Sequence, residues 1–453
     1  MAVTDDFTTS ELDLNGVLNI TSPTALVWGP DGRLYVTQQT GEIFVLNIAF
    51  GDKNPNDADN SAGFYVTSAQ TLNLVKSIPN HNDNGTDSSS TSRQVTGIDV
   101  TRQYDANGNP VTINGKPAVV MYVTSSDNRI GAGEGGADIG LDTNSGVITR
   151  LTQTASGWDA VDIVRGLPRS EENHATNGLE VIQEIVNGKL VSERLIVASG
   201  GNANAGAPSN NFAGQQETPL SGALLEIDLD EIRAIELADG PKFDDGRMYV
   251  YDLPTLNDPT RGSIENTQDP FGGNDGLNSA KLIAGGPVQI YSAGYRNPYD
   301  VEVTEDGRVF TYDNGANNVW GGRPAGEDQN GDNLAFNDSP GTPSGYIATN
   351  LFVEDNFEQF PGGQLNFNPQ NWDQLHEATR SDDLAGRVLS AGLGGAQTYQ
   401  WEHPDFAQPL TLVYGGHPNP TRAEGARAGL LYTPEGGVGN AKLMVSNEAK
   451  TGA

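Results

Sequence analysis

The chain has 453 residues, with 26 basic and 59 acidic side chains and a formal net charge of −33. A surface of that sign repels nucleic-acid phosphates and excludes a nucleic-acid partner. Cysteine is absent, which excludes disulfides, thiolate metal centres and cysteine nucleophiles, and no apolar run reaches the roughly 18 residues of a membrane-spanning helix.

In chain order, the first unit is a three-strand cassette. Ala25-Leu26-Val27-Trp28 leads through Gly29-Pro30-Asp31-Gly32 into Arg33-Leu34-Tyr35-Val36-Thr37, and a third strand runs from Glu42 to Ile48. Looser copies run from Gly97 to Thr152 and from Gly178 to Asp228, followed by one short helix over Asp230 to Leu237. The cassette returns as Asp300-Val301-Glu302-Val303, Glu305-Asp306-Gly307 and Arg308-Val309-Phe310-Thr311. Asp-Gly between alternating strands is a hairpin signal, because both turn residues must accept positive φ. Long Asn-, Asp- and Gly-rich insertions separate the cassettes at 51–62, 80–93, 201–220, 255–280 and 321–345. A repeated sheet unit cannot bury both faces alone, and radial stacking solves that problem. The expected fold is therefore an all-β, six-bladed β-propeller of four-stranded antiparallel blades with long loops on one face. It forms a single domain over 1–453, with a last blade that stops just after a strand at Lys442 to Val445. The five tryptophans (Trp28, Trp158, Trp320, Trp372, Trp401) read mainly as blade core.

Polar clusters flank the strands: Arg93-Gln94, Ser125 to Arg129, Glu171-Glu172-Asn173-His174, Tyr295-Arg296-Asn297-Pro298 and His417-Pro418-Asn419-Pro420. In a propeller these loops converge on one face around the axis. Taken singly, each reads first as a strand-end cap; taken together, they read as a site.

Gly166-Leu167-Pro168, Asn173-His174 and Asn177-Gly178-Leu179 resemble the segment around the catalytic histidine of soluble, pyrroloquinoline-quinone-dependent sugar dehydrogenases. Gly294-Tyr295-Arg296-Asn297-Pro298, with Asp313-Asn314-Gly315 downstream, resembles their Gly-x-Arg-Asn-Pro element. The resemblance runs from about residue 20 to 320 and implies a six-bladed propeller that oxidises aldoses. By it, His174 is the general base that takes the proton of a sugar C1 hydroxyl while hydride passes to the quinone. Arg296 and Asn297 contact the cofactor, with Gln94 near a third contact. Arg129 and Arg422 are further cationic candidates, and the carbonyls of Gly315 and Ala316 hold the calcium that polarises the quinone. One departure is plain: where the family carries Asp before the base, this chain carries Asn173.

Glu327 to Asn333 places Asp328, Asn330 and Asp332 at alternate positions around a glycine, which suits a second calcium, although no full EF-hand follows. Asp105-Ala106-Asn107-Gly108-Asn109 reads first as a hairpin turn. No Gly-x-Ser-x-Gly or His-Glu-x-x-His motif occurs. The acidic surface suits calcium and a secreted, extracellular or periplasmic setting. The start, Met1-Ala2-Val3-Thr4-Asp5-Asp6, lacks the basic and apolar regions of a signal peptide and reads either as a start placed inside a larger multidomain chain or as a mature chain with Met added. The partners expected are a small sugar or glycan. The alternative function is a non-catalytic, calcium-stabilised propeller module that binds glycan or protein.

Overall fold

In this computed structural model the described residues are 11–53, 62–133, 136–202, 210–213, 215, 218, 220–255, 280, 282–283, 285–293 and 295–313, with the backbone of short strands between 326 and 443. The chain is mostly strand. Strands β1 (Pro23–Trp28), β2 (Leu34–Gln38), β3 (Ile43–Gly51) and β4 (Gly63–Leu72) form the first antiparallel sheet. β5 (Arg93–Arg102) opens the second. A small ribbon of β6 (Thr112–Ile113) and β7 (Lys116–Pro117) precedes β8 (Val119–Asp127), β9 (Gly146–Thr154) and β10 (Gly157–Leu167). β11 (Thr176–Val186), β12 (Lys189–Ser199) and β13 (Ala223–Asp228) begin the third sheet. Helix α1 (Leu229–Asp239) and the hairpin β14 (Lys242–Asp244) and β15 (Arg247–Asp252) intervene before β16 (Val288–Ala293) completes it. β17 (Pro298–Val303) and β18 (Val309–Asp313) start a fourth, extended by backbone segments Gln374–Ala378, Ala426–Tyr432 and Lys442–Leu443. The helix sits one or two residues wider than its sequence signal. Asp228 caps it, accepting from the amides of Asp230 and Glu231, and Gly240 ends it at φ +72°.

The four sheets stack face to face in chain order. Tyr35, Ile43, Val95, Val123 and Leu151 pack between the first and second. Ile148, Leu179, Leu195 and Leu225 pack between the second and third, with Leu229 and Ile232 of α1 at the margin. Ile196, Leu224, Val301 and Val309 pack between the third and fourth. The opposite face of the first sheet, Leu34, Val36, Phe44 and Leu46, is covered by Leu12, Leu14, Leu18 and Ile20. Because β2 and β8 lie between two packed faces, they are buried throughout rather than alternating. The tryptophans divide: Trp158 meets Tyr35 edge-on at 6.4 Å, while Trp28, expected in the core, is 55% exposed.

The first strands do the fanning: β1 lies on β5, β5 on β11 and β11 on β17. Two glycines set their spacing. A Cβ on Gly97 of β5 would stand 2.5 Å from the Asn177 carbonyl and 2.8 Å from Cα of Gly178 in β11, and one on Gly178 would stand 2.8 Å from Cα of Asp300 in β17. Cross-strand bonds fill the seam, from Thr96 Oγ1 to the Thr176 carbonyl (2.6 Å) and from the Val181 amide to Asp99 Oδ2 (2.9 Å). The β14–β15 hairpin leaves the third sheet and joins the second, with β15 parallel to β10. Arg165 forks onto Asp252 at 2.7 and 3.0 Å to hold it there.

The seam also gathers charge of one sign. Asp99 on β5, Glu180 on β11 and Asp300 and Glu302 on β17 repel one another; burial first, and then this repulsion, pushes the Glu180 carboxyl up to about 8. Gly97→Ala should lower stability to urea by about 1–3 kcal/mol through overpacking. Gly63→Ala, where a Cβ meets nothing within 4 Å, should be neutral. Glu180 also predicts a pH slope. Its folded value near 8 exceeds its ordinary 4.5, so the folded state keeps the proton longer and stability falls as pH rises from 4.5 to about 8. Glu180→Gln should lack that decline, and urea midpoints of the two proteins compared at pH 5 and pH 9 would show it; parallel slopes would refute the assignment.

Candidate functional site

A cleft of about 460 Å³ opens at the N-terminal ends of the first strands. Gln94 and Thr96 come from the start of β5, Glu172, Asn173, His174 and Asn177 from the loop into β11 and its start, and Arg296, Asn297 and Tyr299 from the approach to β17 and its start. Ser22, Pro23 and Thr24 close the side at β1. Four of the residues singled out in the sequence, Gln94, His174, Arg296 and Asn297, thus share one cavity although more than 200 positions separate the first from the last.

The loop that carries His174 is built on an arginine. β10 ends at Leu167, and Pro168, which has no amide hydrogen to donate, stops the ladder. Arg169 then turns inward, fully buried, and collects backbone carbonyls. Its Nε donates to Asp127 (3.2 Å), Nη2 to Arg129 (2.7 Å), and Nη1 to Ser170, Glu172 and His174. Ser170 returns the support, its Oγ accepting from the His174 amide at 3.0 Å. A loop without secondary structure is thereby fixed from within.

His174 is 2% exposed and stacks edge-on against Phe212 at 5.0 Å. Its Nδ1 lies 2.7 Å from the Gly201 carbonyl. A carbonyl only accepts, so Nδ1 carries the hydrogen and Nε2 keeps the lone pair. Burial, and then the positive charges of Arg296 and Arg169, hold the imidazole well below its ordinary 6.5, against the opposing effect of the Gly201 bond. The ring is therefore neutral near pH 7. Gly201 also donates its amide to the Arg296 carbonyl at 2.5 Å, so one residue fixes both the imidazole and the arginine backbone. Its neighbour Gly200 must lack a side chain: a Cβ would stand 2.7 Å from Asn297 Oδ1 and 2.8 Å from His174 Cβ.

Two partners in the cleft carry no role in the sequence reading. Glu172 places Oε2 3.8 Å from His174 Nε2. Burial raises its carboxyl, while Arg296 and Arg169 pull it down. It supplies the neighbouring carboxylate that Asn173, exposed and donating its amide to Glu172 Oε2 at 2.7 Å, does not. Asn177 fixes the other wall, its Nδ2 donating to Asn297 Oδ1 and to the Pro298 carbonyl, both at 2.9 Å. Adjacent Glu171 points away and accepts the amides of Leu141 and Ile139 instead.

Arg129 lies elsewhere. It does not line the cleft. Its guanidinium grips Asp127 and donates to Asn82 Oδ1 and to the His81 carbonyl, which makes it a loop fastener. Arg93, from the same set of polar clusters, is likewise fully buried and donates to the Pro79 and Ser145 carbonyls and to Asn80 Oδ1. Arg422, the carbonyl donors Gly315 and Ala316, and the turn residues Asp328, Asn330 and Asp332 lie outside the described residues. The Asp105 turn is a plain hairpin, with Oδ1 accepting the amides of Asn107 and Asn109.

Among solved structures, the chain is similar to three sugar oxidoreductases. A putative oxidoreductase (glucose dehydrogenase) from Thermus thermophilus matches at 14% identity and TM-score 0.32 over 88% of this chain and 85% of that one. The holo pyranose dehydrogenase PQQ domain from Coprinopsis cinerea matches at 12% and 0.35 over 86% and 58%. The PQQ-bound aldose sugar dehydrogenase from Streptomyces coelicolor matches at 13% and 0.30 over 88% and 83%. No protein-family profile and no curated protein matches the chain. No helix among the described residues is long and apolar enough to cross a membrane.

If Asn177 sets the distance between the β11 and β17 walls, Asn177→Ala should cost about 1–3 kcal/mol, because the Pro298 carbonyl loses its buried donor. Chemical denaturation measures it; a change within about 0.5 kcal/mol would show that the wall stands without it.

Proposed function

We propose that this protein is a secreted, extracellular or periplasmic oxidoreductase that removes a hydride from a sugar C1 carbon with pyrroloquinoline quinone as acceptor. Its sheets close as one six-bladed propeller over 1–453, with the β14–β15 hairpin added to a four-stranded second blade. The observation that carries the reading is a neutral histidine with its Nε2 lone pair available, in one cleft with Arg296, Asn297 and Gln94. The donor set fits the cofactor: a planar tricarboxylate needs a cationic fork and amide donors, and the cleft supplies both beside a base. When bound, the quinone supplies a two-electron oxidant. Calcium would be held by the carbonyls of Gly315 and Ala316, and a second calcium by Asp328, Asn330 and Asp332.

The chain's own residues then do three things. Arg296 and Asn297 hold and orient the anionic ligand. His174 Nε2 takes the hydroxyl proton, its ring kept in the required tautomer by Gly201. Glu172, at 3.8 Å, stabilises the imidazolium that forms. A second reading, a non-catalytic propeller module that binds glycan or protein, gains support from the low basicity of His174.

The test is addition of the quinone and calcium to the purified chain, followed by dye reduction with a panel of aldoses. Stoichiometric quinone binding with turnover is expected. His174→Gln should lower turnover by about 10²–10⁴-fold while leaving quinone binding intact. Arg296→Ala should weaken quinone binding by about ten- to a hundredfold. The acidic limb of the rate profile should fall below pH 6.5, because the base is depressed. Binding without turnover would favour the module; no binding would end the enzyme reading.

A further inference from the structure

On the flank of the second sheet, among residues that do not line the cleft, three ligand-type side chains meet. They are His81 and Asp87, from the long insertion after β4, and Asp245, from the tip of the β14–β15 hairpin. One nitrogen or oxygen from each lies within 4.8 Å of the others. His81 Nε2 stands 2.8 Å from Asp245 Oδ2 and 4.0 Å from Asp87 Oδ1. We propose that these three residues form a divalent transition-metal site of the zinc class, which clips the insertion to the hairpin.

The frames behind the ligands are fixed independently. Asp245 and Gly246 form a two-residue turn at φ +53° and +73°. Next to it, Arg247 anchors the tip, with Nη2 and Nε on Asp162 at 2.6 and 3.0 Å and Nη1 on the Leu74 carbonyl at 2.7 Å. On the other side, His81 and Asp87 face each other across a bridge closed by the Asn82 amide on the Thr86 carbonyl at 2.7 Å. Arg129 donates to the His81 carbonyl at 2.5 Å, which gives that fastener a purpose. His81 is buried, Asp245 is half-buried and Asp87 is exposed, so two ligands are held in place and the third has room to rotate.

The chemistry selects the metal. An imidazole nitrogen with two carboxylates suits zinc or its neighbours and is a poor set for calcium or magnesium, which take oxygen. Zinc bonds of about 2.0–2.2 Å at tetrahedral angles put ligand atoms about 3.4 Å apart. The 2.8 and 4.0 Å separations bracket that distance, and rotation of exposed Asp87 closes the longer one. Three protein ligands leave one position for water.

The experiment uses the full chain, stripped with a chelator and titrated with Zn²⁺ against a chromogenic competitor, with Ca²⁺ and Mg²⁺ as parallel arms. One zinc per chain and a raised melting temperature are expected. Asp87→Asn, at an exposed position where folding is not at stake, should weaken binding by at least about tenfold, since loss of even an outer-shell partner costs about that much. Asp245→Asn and His81→Gln should do the same and abolish the thermal shift. The chain has four other histidines, so binding unchanged by these substitutions would place zinc elsewhere and overturn the assignment. No zinc binding, or equal binding of calcium at this locus, would also overturn it. Quinone binding and turnover are read separately and do not enter the outcome.

Discussion

The close approach of β5, β11 and β17 is the constraint from which the site follows. Sheets that stack on ordinary side chains stand about 10 Å apart, too far for their leading loops to share a small ligand. Here Gly97 faces Gly178, and Gly178 faces the backbone of Asp300, so the leading strands touch where the rest of each sheet splays outward. The outer strands are filled by the larger aliphatic side chains of three inter-sheet cores, which sets the opening angle of the fan. The polar loops that precede the leading strands have nowhere to go but toward one another. The same geometry forces Asp99, Glu180, Asp300 and Glu302 into one seam, and the raised carboxyl of Glu180 reflects that crowding as well as its burial.

Much of this is legible in the chain because the cassette is local. Asp31-Gly32 and Asp306-Gly307 do mark hairpins, but only the glycine of each pair takes positive φ, +79° at Gly32 and +82° at Gly307, where the sequence signal calls for both residues to do so; each links strands a few residues apart. The Asp230 helix signal is local as well. Convergence of Gln94, His174, Arg296 and Asn297 follows once those cassettes are taken to stack in order. What is not legible depends on partners far away. The hairpin that crosses from the third sheet to the second pairs β15 with β10 over more than 80 residues, and parallel pairing leaves no periodic trace. Trp28 is core by residue type, yet it faces outward from β1, because the fold buries only one side of that strand.

The arginines show the limit most sharply. Arg129 sits in a polar run that suggests a cofactor ligand, while Arg169, after Pro168, has no such context. In the fold their importance is reversed. Arg169 holds the loop of His174 by its carbonyls, and Arg129 fastens a neighbouring turn. Nothing in residue type separates the two. The difference lies in whether carbonyls or carboxylates surround the guanidinium, and only the folded structure decides that. Glu171 and Glu172 pose the same problem at adjacent positions: one caps amides of the 139–141 turn and the other faces the imidazole.

The electrostatics of the cleft then make a consistent whole. A chain of net charge −33 places two nearly inaccessible arginines, Arg169 and Arg296, beside the buried His174. Two buried cations carry a desolvation cost of several kcal/mol each unless they are matched. Arg169 is matched by carbonyl dipoles. Arg296 lies near the Glu172 carboxylate and pulls it down against the rise that burial causes. The positive charges of Arg296 and Arg169 add to burial in keeping His174 deprotonated. An anionic ligand seated against Arg296 would cancel part of that field and, by the same Coulombic argument, would raise the basicity of His174. The arginine that lowers the basicity of His174 is also the group through which such a ligand would restore it.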